Sequence, residues 1–321
     1  MQYYRQFASL RRFAALLLIP LPLWGQRTVP RPPAADVAAT ENTTLRMDVR
    51  LINVFATVTD KHGTPAGGLE KKDFRLYEDG VEQEVRLFER ESTLPLSIVL
   101  GIDASLSTRK DLPLELDAAR RFTTAVLRPK DAMALYEFDE KVSELTGFSA
   151  DAAEIGKALG RVKPGTATAL YDTIYLASGA LARHPGRRVM VLITDGGDTA
   201  STLNYQQALQ AAQSAEAMIY SIIMVPIEAD AGRDLGGEHA LIQLSEDTGG
   251  SHYYATDLAQ LAAAFQQISQ QLRTQYLLAY YPSQKNGRDF HAIRVETPRT
   301  AADGSALQVQ CRAGYYASKP E

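Results

Sequence analysis

The stretch Pro95–Ser107, PLSIVLGIDASLS, decides the fold of this chain. An apolar run there ends in Asp103, which is followed by Ser105 and Ser107; the apolar residues are Leu96, Ile98, Val99, Leu100 and Ile102. Such a run is typical of a strand buried on both faces, as in parallel sheets flanked by helices. The carboxyl ends of these strands open into the crevice where α/β proteins bind ligands. We therefore expect the aspartate and the two serines to lie at a ligand site.

Two later segments send oxygen-bearing side chains to the same edge of the predicted sheet. The segment Gly165–Asp172, GTATALYD, places the hydroxyl of Thr168 directly before a predicted helix. The apolar run Val189–Ile193 predicts a second buried strand, and it ends in Thr-Asp-Gly-Gly, with Asp195 as its carboxylate. Hydroxyl and carboxylate oxygens are ligands that suit a hard divalent cation such as Mg²⁺. Taken alone, the first motif also fits a helix cap, since the segment Thr108–Asp111 resembles a capping box.

At these residues the sequence resembles the von Willebrand factor A domain, over roughly residues 94–274. The metal-ion-dependent adhesion site of that family is D-x-S-x-S, then a threonine, then an aspartate in T-D-G. All five positions are matched, by Asp103, Ser105, Ser107, Thr168 and Asp195. The resemblance implies that these side chains hold Mg²⁺, with Mn²⁺ or Ca²⁺ as alternatives. It also implies that an Asp or Glu carboxylate of a partner protein completes the coordination.

The region 94–274 alternates strand and helix patterns, which predicts an α/β fold with a doubly wound, mostly parallel, Rossmann-like sheet. The flanking segments 45–93 and 275–318 alternate apolar and polar residues instead, so each is predicted to form strands. Within the first, Phe74–Tyr77 and Val85–Phe88 are predicted to pair around an Asp-Gly turn. We expect the two segments to pair into a small all-β domain into which the α/β domain is inserted. Both segments look similar to those of exported acidobacterial members of the family.

The N-terminus carries an export pattern. Arg5, Arg11 and Arg12 precede the apolar run Phe13–Trp24, which is short for a membrane span, so residues 1–26 are predicted to be a signal peptide. An uncleaved anchor is the alternative. Residues 27–44 are rich in proline, alanine and threonine and predict a disordered linker. We expect a mature chain without a membrane span, in the periplasm, on the cell surface or secreted.

Composition argues against a nucleic-acid partner, an internal disulfide and a zinc site. The chain of 321 residues has a net charge of −4, whereas a nucleic-acid partner would require a basic face. The single cysteine, Cys311, cannot form an internal disulfide. The five histidines have no metal-ligand spacing, so no zinc site is predicted; they are His62, His184, His239, His252 and His291.

Three other aspartates near the predicted site have simpler interpretations. Asp172 is expected in the first turn of its helix, where the helix dipole favours a negative charge, and Asp139 is expected in a turn. Asp198 is predicted either to support the metal ligands or to order its own turn.

The leading interpretation is an exported, non-enzymatic, Mg²⁺-dependent binding module. One alternative is a structural envelope protein whose metal only stabilises the fold. A less favoured alternative is a Mg²⁺ phosphohydrolase of the haloacid-dehalogenase type. That chemistry needs a second acid two residues after the first aspartate, and Ser105 occupies this place.

Overall fold

The computed structural model describes residues 51–90, 94–106, 108, 112–225, 234–283 and 289–317. The predicted signal peptide and linker lie outside the described residues, as does Ser107. The strands are β1 Ile52–Thr59, β2 Arg75–Glu78, β3 Val81–Gln83, β4 Leu87–Glu89, β5 Leu96–Asp103, β6 Ala132–Phe138, β7 Val142–Ser149, β8 Arg187–Thr194, β9 Ala217–Met224, β10 His252–Ala255, β11 Tyr276–Tyr280, β12 Phe290–Glu296, β13 Gln308–Gln310 and β14 Gly314–Tyr316. The α-helices are α1 Leu112–Val126, α2 Ala152–Leu159, α3 Leu170–Ala182, α4 Tyr205–Ser214, α5 Leu235–Thr248 and α6 Leu258–Thr274. Among the described helices, none is long and apolar enough to cross a bilayer.

The central sheet has the strand order β10-β9-β8-β5-β6-β7. All neighbours pair in parallel except β7, which runs antiparallel at one edge. Apolar side chains of α1, α2 and α6 pack on one face of this sheet, and those of α3, α4 and α5 pack on the other. The predicted α/β class with a doubly wound, mostly parallel sheet is therefore confirmed.

Strand β5 lies between β8 and β6, and all eight of its residues are buried. Its side chains alternate between the two faces: Leu96, Ile98, Leu100 and Ile102 join one core, and Val99 joins the other. Gly101 has no side chain because a Cβ there would lie 2.7 Å from the Leu192 side chain on β8. The central position of β5 explains why its polar C-terminal end lies at the middle of the sheet edge.

Two four-stranded sheets form the β domain, with strand orders β13-β1-β11-β4 and β14-β12-β2-β3. Both combine strands from before and after the α/β domain. In the first sheet β1 pairs antiparallel with β11, with Ile52 opposite Tyr280. In the second, β2 pairs antiparallel with β12, with Glu78 opposite Ile293. The apolar faces of the two sheets share one hydrophobic core.

The predicted pairing around the Asp-Gly turn was partly wrong. Strand β2 pairs with β3, whereas β4 pairs with β11 in the other sheet. The cause is the tight turn: Asp79 and Gly80 have φ of 49° and 83°, so Val81 already lies opposite Glu78. The chain then leaves this sheet after three residues of β3. Strand β14, which pairs with β12, was not predicted separately.

Helix α6 runs directly into β11 through Gln275, which is fully buried. The Gln275 amide donates hydrogen bonds to the hydroxyls of Thr57 on β1, at 3.3 Å, and of Tyr220 on β9, at 3.2 Å. Arg187, at the start of β8, donates from Nη1 to Gln275 Oε1, at 3.2 Å, and to the Leu272 carbonyl, at 2.5 Å. A buried polar network therefore joins the β domain to the central sheet.

Candidate metal site

Strand β5 delivers Asp103 to the carboxyl edge of the sheet with no solvent exposure. One carboxylate oxygen of Asp103 accepts a hydrogen bond from the Ser105 backbone N–H at 2.9 Å. The other accepts from the Thr194 hydroxyl at 2.6 Å, across from the end of β8. The carboxylate is thus fixed by its own loop and by the neighbouring strand.

The loop after β5 is held in a tight bend. The Thr108 hydroxyl is 3.0 Å from the Asp103 carbonyl oxygen and 3.2 Å from that of Ser105, to both of which it is placed to donate. Ser105 is 2% exposed, so its side chain is enclosed at the sheet edge. Of the two serines predicted as ligands, Ser105 is described and Ser107 lies outside the described residues.

A second loop brings Thr168 to this edge just before α3. The Thr168 backbone N–H donates to the Thr199 hydroxyl, at 2.9 Å, and the Gly165 N–H donates to the Ala104 carbonyl, at 2.6 Å. Thr168 is 4% exposed. Gly165 packs so closely that a Cβ there would lie 2.2 Å from the Cβ of Asp139. This loop therefore contacts both the loop after β5 and the loop after β8.

The third loop begins with Asp195, which is half-buried directly after β8. Gly196 follows with a φ of +101°, a backbone conformation that favours glycine, and its N–H donates to the Thr194 hydroxyl at 3.1 Å. The N-terminus of α5 packs against this turn, since a Cβ on Gly237 would lie 1.9 Å from the Gly196 carbonyl oxygen. Glycines at both positions let the loop after β8 fold tightly beside Asp103.

Asp198 and Asp172 hold the second and third loops together. One oxygen of Asp198 accepts hydrogen bonds from the Leu170 N–H, at 2.9 Å, and from the Ser201 hydroxyl, at 2.6 Å. Asp172 accepts from the N–H groups of Thr202 and Leu203. Asp172 lies in the first turn of α3, where it was expected, and Asp198 stabilises the N-terminus of that helix. Asp139 caps its own turn by accepting from the Lys141 N–H, also as expected.

The buried carboxylate of Asp103 dominates the electrostatics of this edge. Burial and the neighbouring charge of Asp195 raise the pKa of Asp103 to about 6. Within the described part of the chain, no lysine, arginine or histidine forms an ion pair with Asp103. Hydrogen bonds from Ser105 and Thr194 offset only part of the cost of burying the charge. A divalent cation is the kind of group that would compensate it.

Four of the five predicted ligands are described, and their loops meet at one edge: Asp103, Ser105, Thr168 and Asp195. Their oxygen-only chemistry fits Mg²⁺, although the role of each as a ligand stays a prediction. Sequence reasoning missed Thr194 and Thr108 as supports of Asp103 and of its loop. A hydroxyl at the last residue of the buried strand β8 was the available signal for Thr194, because a buried hydroxyl requires a hydrogen-bond partner.

Comparison with known proteins identifies the class. Residues 98–197 match the sequence model of the von Willebrand factor type A domain, so the chain is a protein with a domain of this family. The matched segment runs from β5 to the loop after β8 and therefore contains the four described residues that were predicted as ligands, Asp103, Ser105, Thr168 and Asp195. No curated protein matches the chain significantly in sequence.

Three solved structures are similar to this chain, and the first of them supports the fold. A von Willebrand factor type A structure from Catenulispora acidiphila is 13% identical, with a TM-score of 0.51, over 74% of this chain and 71% of that one. The vWF domain of the type V pili tip protein Mfa5 from Porphyromonas gingivalis is 16% identical, with a TM-score of 0.46, over 56% and 95% of the two chains. The conserved hypothetical protein BatB from Bacteroides thetaiotaomicron is 17% identical, with a TM-score of 0.44, over 56% and 100%.

Proposed function

We propose that this chain is an exported protein-binding module that captures an acidic group of a partner through a divalent cation. Asp103, Ser105, Ser107, Thr168 and Asp195 hold the cation, which is Mg²⁺ in the first instance. A carboxylate from an Asp or Glu of the partner completes its coordination. The proposal includes no catalytic step and no catalytic residue.

The observation that carries this proposal is the pair of acids at the carboxyl edge. Burial, with a smaller contribution from the charge of Asp195 beside it, raises the pKa of Asp103, so two acids meet where the described chain supplies no ion pair to Asp103. The hydroxyls offered by the neighbouring loops are neutral. A cation bound there keeps an affinity for a further anion, because neutral oxygen donors leave its charge only partly compensated.

Metal binding is tested first. Mg²⁺ is titrated calorimetrically into wild type, Asp195→Asn and the control Asp303→Asn, which changes an exposed aspartate of the β domain. We expect wild type and the control to bind one Mg²⁺, and Asp195→Asn to lose most of that affinity while keeping a native circular dichroism spectrum. Equal Mg²⁺ binding by all three proteins would contradict the proposed ligand set.

Partner chemistry is tested with peptides. A library of random peptides is selected against the protein in Mg²⁺, and the recovered peptides are re-measured in chelator. We expect an Asp or Glu in each binder, loss of binding in chelator, and loss when that acid is changed to its amide. Peptides that bind equally well in chelator would show that the surface does not use a bridging cation.

The structural alternative is separated by the same measurements. If the metal only stabilises the fold, wild type binds Mg²⁺ and gains thermal stability, but selection recovers no acidic peptides that depend on it. The hydrolase alternative lacks its second acid, because Ser105 stands two residues after Asp103 and uses its backbone N–H to support it. We expect no Mg²⁺-dependent phosphatase activity on a general substrate such as p-nitrophenyl phosphate.

The proposal of export rests on the basic and apolar pattern of residues 1–26. Expression of the whole chain in a Gram-negative host, followed by fractionation and N-terminal sequencing, tests it. We expect the protein outside the cytoplasm, with a new N-terminus near Gly25 if the signal is cleaved. A full-length product confined to the cytoplasm would refute export.

A further inference from the structure

A second group of metal-ligand side chains lies in the β domain. Glu78 is the last residue of β2, Asp79 follows it in the turn, and His291 lies on β12. Each residue offers one ligand atom, and the three atoms lie within 4.8 Å of one another. The pairing of β2 with β12 creates this group, and the Ala292 N–H donates to Asp79 Oδ1 at 3.0 Å, which fixes the turn against β12.

The spacing of these atoms fits a small cation with four ligands. His291 Nδ1 lies 2.9 Å from Asp79 Oδ2 and 3.8 Å from Glu78 Oε1. Nitrogen and oxygen ligands lie about 2.0–2.2 Å from zinc, so in a tetrahedron they are about 3.3–3.6 Å from each other. The two observed separations bracket that value. Shifts of a few tenths of an ångström would bring His291 Nδ1 to this distance from each carboxylate.

Neighbouring tyrosines orient the Glu78 carboxylate. Its Oε2 accepts hydrogen bonds from the hydroxyls of Tyr280 and, at 3.0 Å, of Tyr315. This leaves Oε1 facing His291 at 3.8 Å, which is longer than a hydrogen bond. The Tyr315 ring also stacks on the His291 ring, with centroids 5.3 Å apart. Partners that fix the orientation of a ligand in this way are typical of metal sites in proteins.

Charge and burial also favour a cation at this position. The side chains of Glu78, His291 and Asp79 are 3%, 8% and 11% exposed, so two carboxylates are enclosed beside one imidazole. Enclosed carboxylates are costly unless cations or hydrogen bonds compensate them, and a divalent ion bound here would add such compensation. The slight exposure of Asp79 leaves a route from solvent by which an ion and a water ligand could enter.

We propose that Glu78, Asp79 and His291 bind a divalent transition-metal ion, with zinc the best fit and water as the fourth ligand. One imidazole with two carboxylates suits zinc, whereas magnesium prefers an octahedron of oxygens. The spacing of histidines along the sequence predicted no zinc site. Histidine spacing does not reveal the proposed site, because Asp79 and His291 are 212 residues apart and meet only through strand pairing.

A metal ion at this position ties together the two halves of the β domain. It links the turn after β2, which precedes the α/β domain in sequence, to β12, which follows it. Cross-links that close long loops constrain the unfolded chain strongly. The ion therefore acts as a structural clamp in a chain whose single cysteine cannot form an internal disulfide.

The test is a calorimetric zinc titration in excess Mg²⁺, which keeps the site at the carboxyl edge occupied. Wild type should bind one zinc ion and gain thermal stability. His291→Asn should abolish this binding, and Tyr315→Phe, which removes only a hydroxyl, should weaken it about 10- to 100-fold. His252→Asn, a half-buried histidine on β10, should bind zinc as wild type does, and so should Asp103→Asn.

Two results would overturn the proposal. One is a wild-type protein that takes up no zinc in excess Mg²⁺. The other is zinc affinity that is the same in wild type, His291→Asn and Tyr315→Phe. Because Tyr315→Phe keeps the ring that packs in the β core, it still reports on the site if His291→Asn does not fold.

Discussion

Asp103→Asn should make the metal-free protein more stable at neutral pH. Burial and Asp195 raise the pKa of Asp103 from 3.8 to about 6. Each unit of pKa corresponds to about 1.4 kcal/mol, so the ionised Asp103 destabilises the metal-free fold by about 3 kcal/mol at neutral pH. Asparagine carries no charge and keeps an oxygen that can accept from the Ser105 N–H. The variant should recover most of this free energy.

The sign of the pH dependence follows from the direction of the shift. Because the folded-state pKa of Asp103 lies above its unfolded value of 3.8, the proton contributes stability that is fully present below pH 3.8. That contribution is lost as the pH rises through about 6. The advantage of Asp103→Asn should therefore be small at about pH 4 and near its maximum at about pH 7.5. Groups that do not interact with Asp103 titrate equally in both proteins and cancel in the difference.

The assay is urea unfolding of both proteins in chelator at the two pH values, followed by repetition in Mg²⁺. In Mg²⁺ the difference in the free energy of unfolding between the two proteins should narrow or change sign. Wild type gains about 2.7 kcal/mol when the Mg²⁺ concentration is 100 times its dissociation constant, and the variant gains much less. A wild type that is the more stable protein in chelator at both pH values would refute the reasoning. So would a difference that does not change with pH.

Three other substitutions test the packing around the site and the junction. Gly165→Ala should displace the loop that carries Thr168, because the new Cβ would overlap Asp139. We expect a loss of about 1–3 kcal/mol in the free energy of unfolding in urea, together with weaker Mg²⁺ binding. Unchanged Mg²⁺ binding would contradict this. Asp131→Ala removes the ion-pair partner of Arg273 and should lower the free energy of unfolding at pH 7 by about 3–5 kcal/mol. A loss below about 1 kcal/mol would argue against a buried ion pair. Gln275→Leu should remove the hydrogen bonds from the Gln275 amide to Thr57 and Tyr220 and lower the free energy of unfolding by about 1–3 kcal/mol, whereas intact stability would show that the junction network is dispensable.

Much of the α/β domain could be predicted because each of its strands is encoded locally. The run before Asp103 is apolar at almost every position, and a strand buried on both faces requires this. The same logic placed Asp195 at the end of β8. Parallel strands send their carboxyl ends to one edge, so the meeting of the loops followed from the topology rather than from any single motif.

The parts that escaped prediction depend on contacts between segments far apart in sequence. Strand β4 resembles a hairpin partner of β2, yet it pairs with β11, which follows the whole α/β domain in sequence, and the tight turn at Asp79 gives β3 the place beside β2. The support of Asp103 by the Thr194 hydroxyl spans 91 residues. His291 meets Asp79 across 212 residues. In each case the residue types were visible in the sequence, but the partner was not.

Contacts at the junction between the two domains fix how the β domain is attached to the inserted α/β domain. Helix α6 ends at Thr274 and β11 begins at Tyr276, so only the buried Gln275 separates them. Its amide donates to side chains of β1 and β9 and its carbonyl accepts from Arg187, which also holds the last turn of α6. Buried polar groups are costly unless they are paired. The Gln275 amide and Nη1 of Arg187 have these partners only when helix, sheet and β domain hold this geometry. A displacement of α6 along its axis would therefore break these bonds or move β11 with the helix, and the β domain is mechanically connected to the sheet whose opposite edge carries Asp103.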